Sequence, residues 1–252
     1  MVYWYNGNLI QANTIELAID DPGLLYGATV FTTLRVYESL DSRLTQWAAH
    51  SDRLTKTLQA FGWEQPDWQR VRQGAELMVG FPVLRITLFP DGREWITGKL
   101  LPTDLASRQK LGICASVALS ELERCLPSHK TGNYLSAWLA KANSQEAILV
   151  DTAGNWLETS TGNIWGWRDG SWWTPPLSAG ILPGIVRSQL LKLLTVRSEP
   201  WTNELVTGME ALAYTNSVVE VIPIHTVIAG DLRLKYDPAH SSLQQLQRLF
   251  LP

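Results

Sequence analysis

Asn6-Gly7 follows an aromatic run that begins at Val2 and precedes a short apolar return ending at Ile10; it restricts the fold more than any other feature. Both residues tolerate positive φ, so the pair closes a tight turn and makes its flanks a hairpin over residues 2–10. Three other turns have extended runs on both sides. Pro90-Asp91-Gly92 joins 81–89 to 94–101, Ala153-Gly154-Asn155 joins 147–151 to 156–159, and Arg168-Asp169-Gly170 joins 163–167 to 171–174. β-Branched and aromatic residues mark further strands at 30–37, 111–119, 211–215 and 218–224. Helical spacing appears at 46–61, where Trp47, Leu54, Leu58 and Phe61 share a stripe and Arg53 sits mid-helix. Further helices are expected at 68–78, 134–143, 185–196 and 237–251. Asp20-Asp21-Pro22-Gly23 reads as a turn. The polar stretch 102–110 lacks periodicity and reads as a linker, which gives a small α+β domain at 1–105 and a larger one at 111–252.

Composition narrows the function. Net charge is −3 with no basic run, which argues against nucleic acid as a partner. Cys114 and Cys125 form no disulfide framework, and His50, His129, His225 and His240 are scattered, so no metal site is expected. The N-terminus has neither a basic n-region nor a long apolar core, so no signal peptide, no membrane span and a cytoplasmic location are expected. The 12 tryptophans are many for this length; they suit a core, a pocket or a subunit interface.

Three features carry chemistry. Lys130 precedes the helix at Tyr134; burial there would favour the neutral amine a Schiff base requires, although its local features alone suit a solvated loop lysine better. Glu158 lies inside a strand, either aimed inward as a partner for a heteroaromatic nitrogen or facing solvent. Gly-x-x-Pro-Gly at 180–184 opens a helix, and the backbone N–H groups of Ile185 and Val186 form an anion cup there; the same residues also suit an ordinary Pro-Gly helix start. Thr215, Asn216 and Ser217 offer polar groups to the same anion, and Arg53 offers a fixed charge. A lysine, a carboxylate and a phosphate cup are what pyridoxal 5'-phosphate (PLP) needs.

As an ordered set these residues resemble the class IV aminotransferases, the fold-type IV PLP enzymes. The set comprises Lys130 with Asn133, Leu157-Glu158-Thr159-Ser160 with Asn163, the segment from Ile181 to Ile185, and Thr215-Asn216-Ser217 ending at Pro223. Asn6-Gly7, Tyr26-Gly27 and Asp52-Arg53-Leu54 extend it over nearly the whole chain. The resemblance implies an α+β, two-domain fold: a small α/β sandwich-like N-terminal domain, a larger domain with a β-barrel-like core, PLP between them, and a homodimer acting on a small molecule. It makes Lys130 the Schiff-base lysine, Glu158 the partner of the pyridine nitrogen, and Arg53 with Ile185 and Val186 the phosphate ligands. Valine at 186 stands where threonine is common, so one hydroxyl contact is lost.

Within the family, Phe31-Thr32-Thr33-Leu34-Arg35-Val36, the short step from Lys130 to Asn133, and Thr215-Asn216-Ser217-Val218 resemble the 4-amino-4-deoxychorismate lyases. The alternatives are a D-amino-acid or branched-chain transaminase, or a PLP-fold protein that only binds. In the lyase reading Thr32 or Thr33 assists proton transfer, and Tyr26, Arg35 and Arg93 contact substrate. The stretch from Phe89 to Arg93 departs from the arginine- and glycine-rich loop of that group.

Overall fold

The computed structural model describes residues 1–119, 122, 124–141 and 144–251. By its internal contacts the chain divides into two units, Met1–Pro102 with His129–Asn133, and Thr103–Ser128 with Tyr134–Pro252. The segment around Lys130 thus groups with the first unit.

The first unit holds β1 (Val2–Tyr5), β2 (Asn8–Gln11), α1 (Pro22–Leu25), β3 (Val30–Arg35), α2 (Trp47–Phe61), α3 (Trp68–Leu77), β4 (Val83–Leu88) and β5 (Glu94–Lys99). Asn6 and Gly7 take φ of 44° and 86° and close the first hairpin as expected. The strands form one antiparallel sheet in the order β2-β1-β5-β4-β3. Period-two alternation sends Val30, Leu34, Leu84, Ile86, Leu88 and Ile96 to one face, where they bury against Leu54 and Leu58 of α2 and Val71 and Ala75 of α3. The buried carboxylate of Glu94 fastens this layer: it accepts from Trp4 Nε1 and Gly7 N at 2.9 Å and from Arg70 at 2.6 and 2.9 Å. The opposite face carries Phe31, Thr33, Arg35, Arg85 and Thr87, since Thr33 stands opposite Arg85 and Phe31 opposite Thr87.

The second unit holds α4 (Leu105–Leu111), β6 (Ile113–Val117), α5 (Leu135–Ala140), β7 (Glu146–Val150), β8 (Trp156–Thr159), β9 (Asn163–Arg168), β10 (Ser171–Thr174), α6 (Ile185–Leu193), β11 (Val196–Ser198), α7 (Asn203–Thr207), β12 (Ala211–Asn216), β13 (Glu220–Ala229), β14 (Leu232–Lys235) and α8 (Ser241–Arg248). Its sheet runs β11-β10-β9-β12-β13-β6-β7-β8, with β14 beside β13, and curls as a half-barrel. One core packs Val186 and Leu190 of α6 and Leu243 and Leu246 of α8 against Trp165, Ala213 and Val221 of the sheet.

Three expectations are corrected. The linker at 102–110 is largely α4, a helix whose single buried residue, Leu105, leaves too little apolar stripe to reveal it. The helix expected at 185–196 stops at Leu193, and Val196 enters β11, parallel to β10. The stretch 20–23 is the entry to α1, capped by Asp21, which accepts from Gly23 N at 2.7 Å. The helix at 134–143 is observed over Leu135–Ala140; Ala142 and Asn143 lie outside the described residues. No helix among the described residues is long and apolar enough to cross a membrane.

Candidate active site

In the first unit the segment bearing Lys130 is stitched to the edge of β3. Phe31 N donates to Lys130 O at 2.8 Å, Gly132 N donates to Thr29 O at 2.7 Å, and Thr131 bridges Val30. On the other side His129 shares a hydrogen bond with Thr57 and tilts against Phe61, 4.7 Å between ring centroids. The backbone of Lys130 is therefore fixed on both sides, and its half-buried amine stands 4.8 Å from the Phe31 ring centroid. This is a cation–π distance on an aromatic face.

Around β3 the two threonines separate. Thr32 points to the helix-covered face, is fully buried, lies 2.5 Å from His50 Nδ1 and accepts from Arg53 Nη2 at 2.8 Å. Alternation turns Thr32 inward, and its hydroxyl is engaged there. Thr33 lies on the other face, beside Arg85. Burial, reinforced by the charges of Arg53 and Lys130, holds the His50 imidazole well below its ordinary value, so the ring is neutral.

The arginines divide likewise. Arg35 lies over Tyr37 at 4.7 Å, and Arg85 lies over Phe31 at 3.6 Å, both on the face of Thr33. Arg85 escaped the sequence reading; its signal was the alternation of 83–88, which sets an arginine opposite Leu84 and Ile86. Arg93 is instead a structural tie. Its three nitrogens reach Asp91, Tyr5 Oη and Asp21 at 2.6, 2.7 and 2.6 Å, which binds the turn before β5 to the cap of α1. Tyr26 ends α1 and is 76% exposed.

In the second unit Glu158 is buried on β8. Its Oε1 receives Arg124 Nη1 at 2.7 Å, and its Oε2 receives Asn163 Nδ2 and Leu182 N, each at 3.2 Å. Asn163 Nδ2 also donates to Leu182 O at 2.9 Å, so one amide joins β8, β9 and the loop ahead of α6. Neither Arg124 nor Asn163 was given a role from the sequence; an arginine in a loop gives no sign of its distant partner. Arg187 is 4% exposed and donates to Pro175 O; burial lowers its guanidinium below the ordinary value, opposed by the charge of Glu158. Below Glu158 a second buried carboxylate, Glu146, accepts from the hydroxyls of Ser160 and Thr161 and fixes the β8–β9 turn.

The helix α6 starts at Ile185 after Gly184, and no side chain among the described residues caps it. Its first intrahelical donor is Ser188 N, to Gly184 O, so the N–H groups of Ile185, Val186 and Arg187 are the ones a helix start leaves for an anion. The Val186 side chain lies in the core with Trp165 and Leu190, which accounts for a valine there. Thr215 accepts from Trp165 Nε1 at 3.0 Å, and its own proton has no acceptor among the described residues. Asn216 closes a turn instead: its Oδ1 accepts from Val218 N and Val219 N, and its Nδ2 donates to Thr161 O. Ser217 is half-buried beside it.

The first unit thus holds a fixed lysine beside an aromatic strand, and the second holds a buried carboxylate gripped on both oxygens and a helix start with no side-chain cap among the described residues. The family model for class IV amino-transferases matches residues 29–227, and the chain belongs to that family. It is 27% identical to a putative branched-chain-amino-acid aminotransferase of Methanocaldococcus jannaschii, over 90% of this chain and 88% of the relative. It is 28% identical to an aminodeoxychorismate lyase of Bacillus subtilis, over 98% and 94%. Among solved structures, a hypothetical aminotransferase from Mycobacterium tuberculosis, in its α-ketoglutarate and PMP bound form, matches in fold. The TM-score is 0.82 at 18% identity, covering 99% of this chain and 98% of that one.

Proposed function

We propose that this enzyme is a PLP-dependent lyase that converts 4-amino-4-deoxychorismate to 4-aminobenzoate and pyruvate. Two guanidinium groups on one face of the first sheet, Arg35 and Arg85 flanking Thr33, carry the reading. The substrate has two carboxylates, one on the ring and one on the enolpyruvyl group. A branched-chain amino acid has one carboxylate and an apolar side chain, and brings no anion to the second guanidinium.

The residues present fit PLP. The uncapped start of α6, with buried Ile185 and Val186, suits a phosphate, as does the proton of Thr215. In this reading Arg53 would supply a cation to the phosphate, Lys130 the amine that would hold the cofactor, and Glu158 the carboxylate for its ring nitrogen. When bound, PLP supplies an electron sink for charge developing at the carbon bearing the substrate amine. The Lys130 amine then removes the proton from that carbon. The C–O bond to the enolpyruvyl group breaks, the leaving enol takes up a proton and becomes pyruvate, and the ring becomes aromatic. In this reading Thr33, which pairs with Arg85 across the strands, is the threonine that assists proton transfer. Arg35 and Arg85 hold the two carboxylates and orient the ring.

The test is purified holoenzyme with 4-amino-4-deoxychorismate. Stoichiometric 4-aminobenzoate and pyruvate are expected, with loss of both products in Lys130→Ala. The similarity to branched-chain aminotransferases favours a second reading, a class IV transaminase for branched-chain or D-amino acids. Absence of 4-aminobenzoate, together with keto acid formed from leucine or D-alanine, would decide for it. We also propose a homodimer, on the exposed apolar side chains of α5: Leu135, Trp138 and Leu139 are 61%, 68% and 45% exposed. Light scattering on the eluting protein gives the mass that tests this.

A further inference from the structure

We infer that His50 is a positioning residue: through Thr32 it fixes the guanidinium of Arg53, an inference that rests on the reading of Arg53 as the phosphate cation. His50 and Arg53 lie one turn apart on α2, and both reach Thr32 on β3. The protons shared between the three side chains can be assigned. Arginine only donates, so Thr32 Oγ1 accepts from Arg53 Nη2. The single hydroxyl proton of Thr32 then has one acceptor among the described residues, His50 Nδ1 at 2.5 Å. Nδ1 is therefore bare, and the neutral ring carries its proton on Nε2. That Nε2 is buried and meets no hydrogen-bonding atom among the described residues.

The chemistry explains why a histidine stands here. A hydroxyl that accepts from a cation while donating to an imidazole is polarised in both directions, which strengthens both bonds. A protonated ring would turn Nδ1 into a donor, leave the threonine proton without an acceptor, and add a third positive charge beside Arg53 and Lys130. The buried site excludes that state. A neutral, rigid acceptor thus sets the direction of Thr32, and Thr32 sets that of Arg53. Arginine otherwise carries large rotamer freedom, and a guanidinium already aimed at an anion loses less on binding.

The experiment measures the dissociation constant of PLP by absorbance, and the environment of the bound phosphate by phosphorus-31 NMR. The proteins are the wild type, His50→Leu, His50→Asn, Thr32→Val and Arg53→Gln, each checked for folding by circular dichroism. His50→Leu and Thr32→Val are expected to weaken PLP by about tenfold, the scale of one hydrogen bond to a charged group. His50→Asn, which keeps an acceptor near the position of Nδ1, should bind within about threefold of wild type on the same scale. Nitrogen-15 NMR of the wild-type imidazole should show the Nε2–H tautomer. Wild-type affinity in His50→Leu and Thr32→Val, with Arg53→Gln weakened, overturns the positioning role and leaves Arg53 in place. Wild-type affinity in Arg53→Gln overturns the Arg53 reading itself. A proton on Nδ1 overturns the hydrogen-bond assignment. If His50→Leu does not fold, Thr32→Val and the tautomer decide.

Discussion

Arg124 Nη1 lies 2.7 Å from Glu158 Oε1, an ion pair whose side chains are only 9% and 4% exposed. Charge so deeply removed from water persists only while each member compensates the other. Arg124→Met should therefore destabilise the protein by roughly 3–5 kcal/mol, because Glu158 is left buried without its cation. Arg124→Met with Glu158→Leu should recover most of that loss. Urea denaturation measures both; a single variant no worse than the double would sink the argument.

Gly184 places its α-carbon where a Cβ would run into Asn163 Oδ1. That amide also holds Glu158 and the carbonyl of Leu182. Gly184→Ala should cost about 1–3 kcal/mol, as overpacking in a closed site does, and should weaken PLP binding. Gly80, which has nothing within 4 Å of its would-be Cβ, is the control. Thermal unfolding of the two alanine variants should differ clearly, and equal melting temperatures would contradict the packing account.

What the sequence disclosed and what it hid follow from the range of the interactions. Asn6-Gly7, the turn at Asp91-Gly92 and the stripe of Leu54 and Leu58 are local signals, and the elements they imply are present. The stitching of Lys130 to β3 is not local: Phe31 and Lys130 are far apart in sequence, and no spacing records that one backbone pairs with the other. Glu158 was visible as a carboxylate within a strand, but Arg124 was hidden because an ion pair leaves no trace in either residue's neighbourhood. Thr32 and Thr33 share the same β-propensity. Only the direction of one pleat, set by where α2 packs, separates the hydroxyl engaged with His50 from the one beside Arg85.

His50 makes stability depend on pH. Its unfolded imidazole takes a proton near its ordinary value of about 6.5, whereas the buried ring, flanked by Arg53 and Lys130, takes one only at much lower pH. Below about 6.5 the unfolded state thus binds more protons than the folded one. The contribution is whole above that value and falls away as pH drops toward the folded value. Urea denaturation at several pH values between about 7.5 and 5 should show this slope, reduced in His50→Asn. An unchanged slope in the variant would assign the effect to other groups.

Arg93 is held by a buried carboxylate. Its partner Asp21 is 3% exposed, caps α1 and receives Arg93 Nη2 at 2.6 Å. Burial alone would raise the Asp21 carboxyl, but the Arg93 hydrogen bond, the Gly23 N–H and the Arg93 charge outweigh it and hold the group below its ordinary 3.8. The stabilisation is accordingly present above 3.8 and is lost as pH falls through the lower folded value. Arg93→Ala should destabilise the fold at pH 7 by roughly 3 kcal/mol, since it strands a buried carboxylate, and the gap from wild type should close under acid. Arg85→Ala should raise KM by about tenfold or more, as loss of a hydrogen bond to a charged carboxylate does. If Arg93→Ala instead raised KM at unchanged stability, the tie to Asp21 would not be what Arg93 is for, and the substrate face would have to extend to the turn before β5.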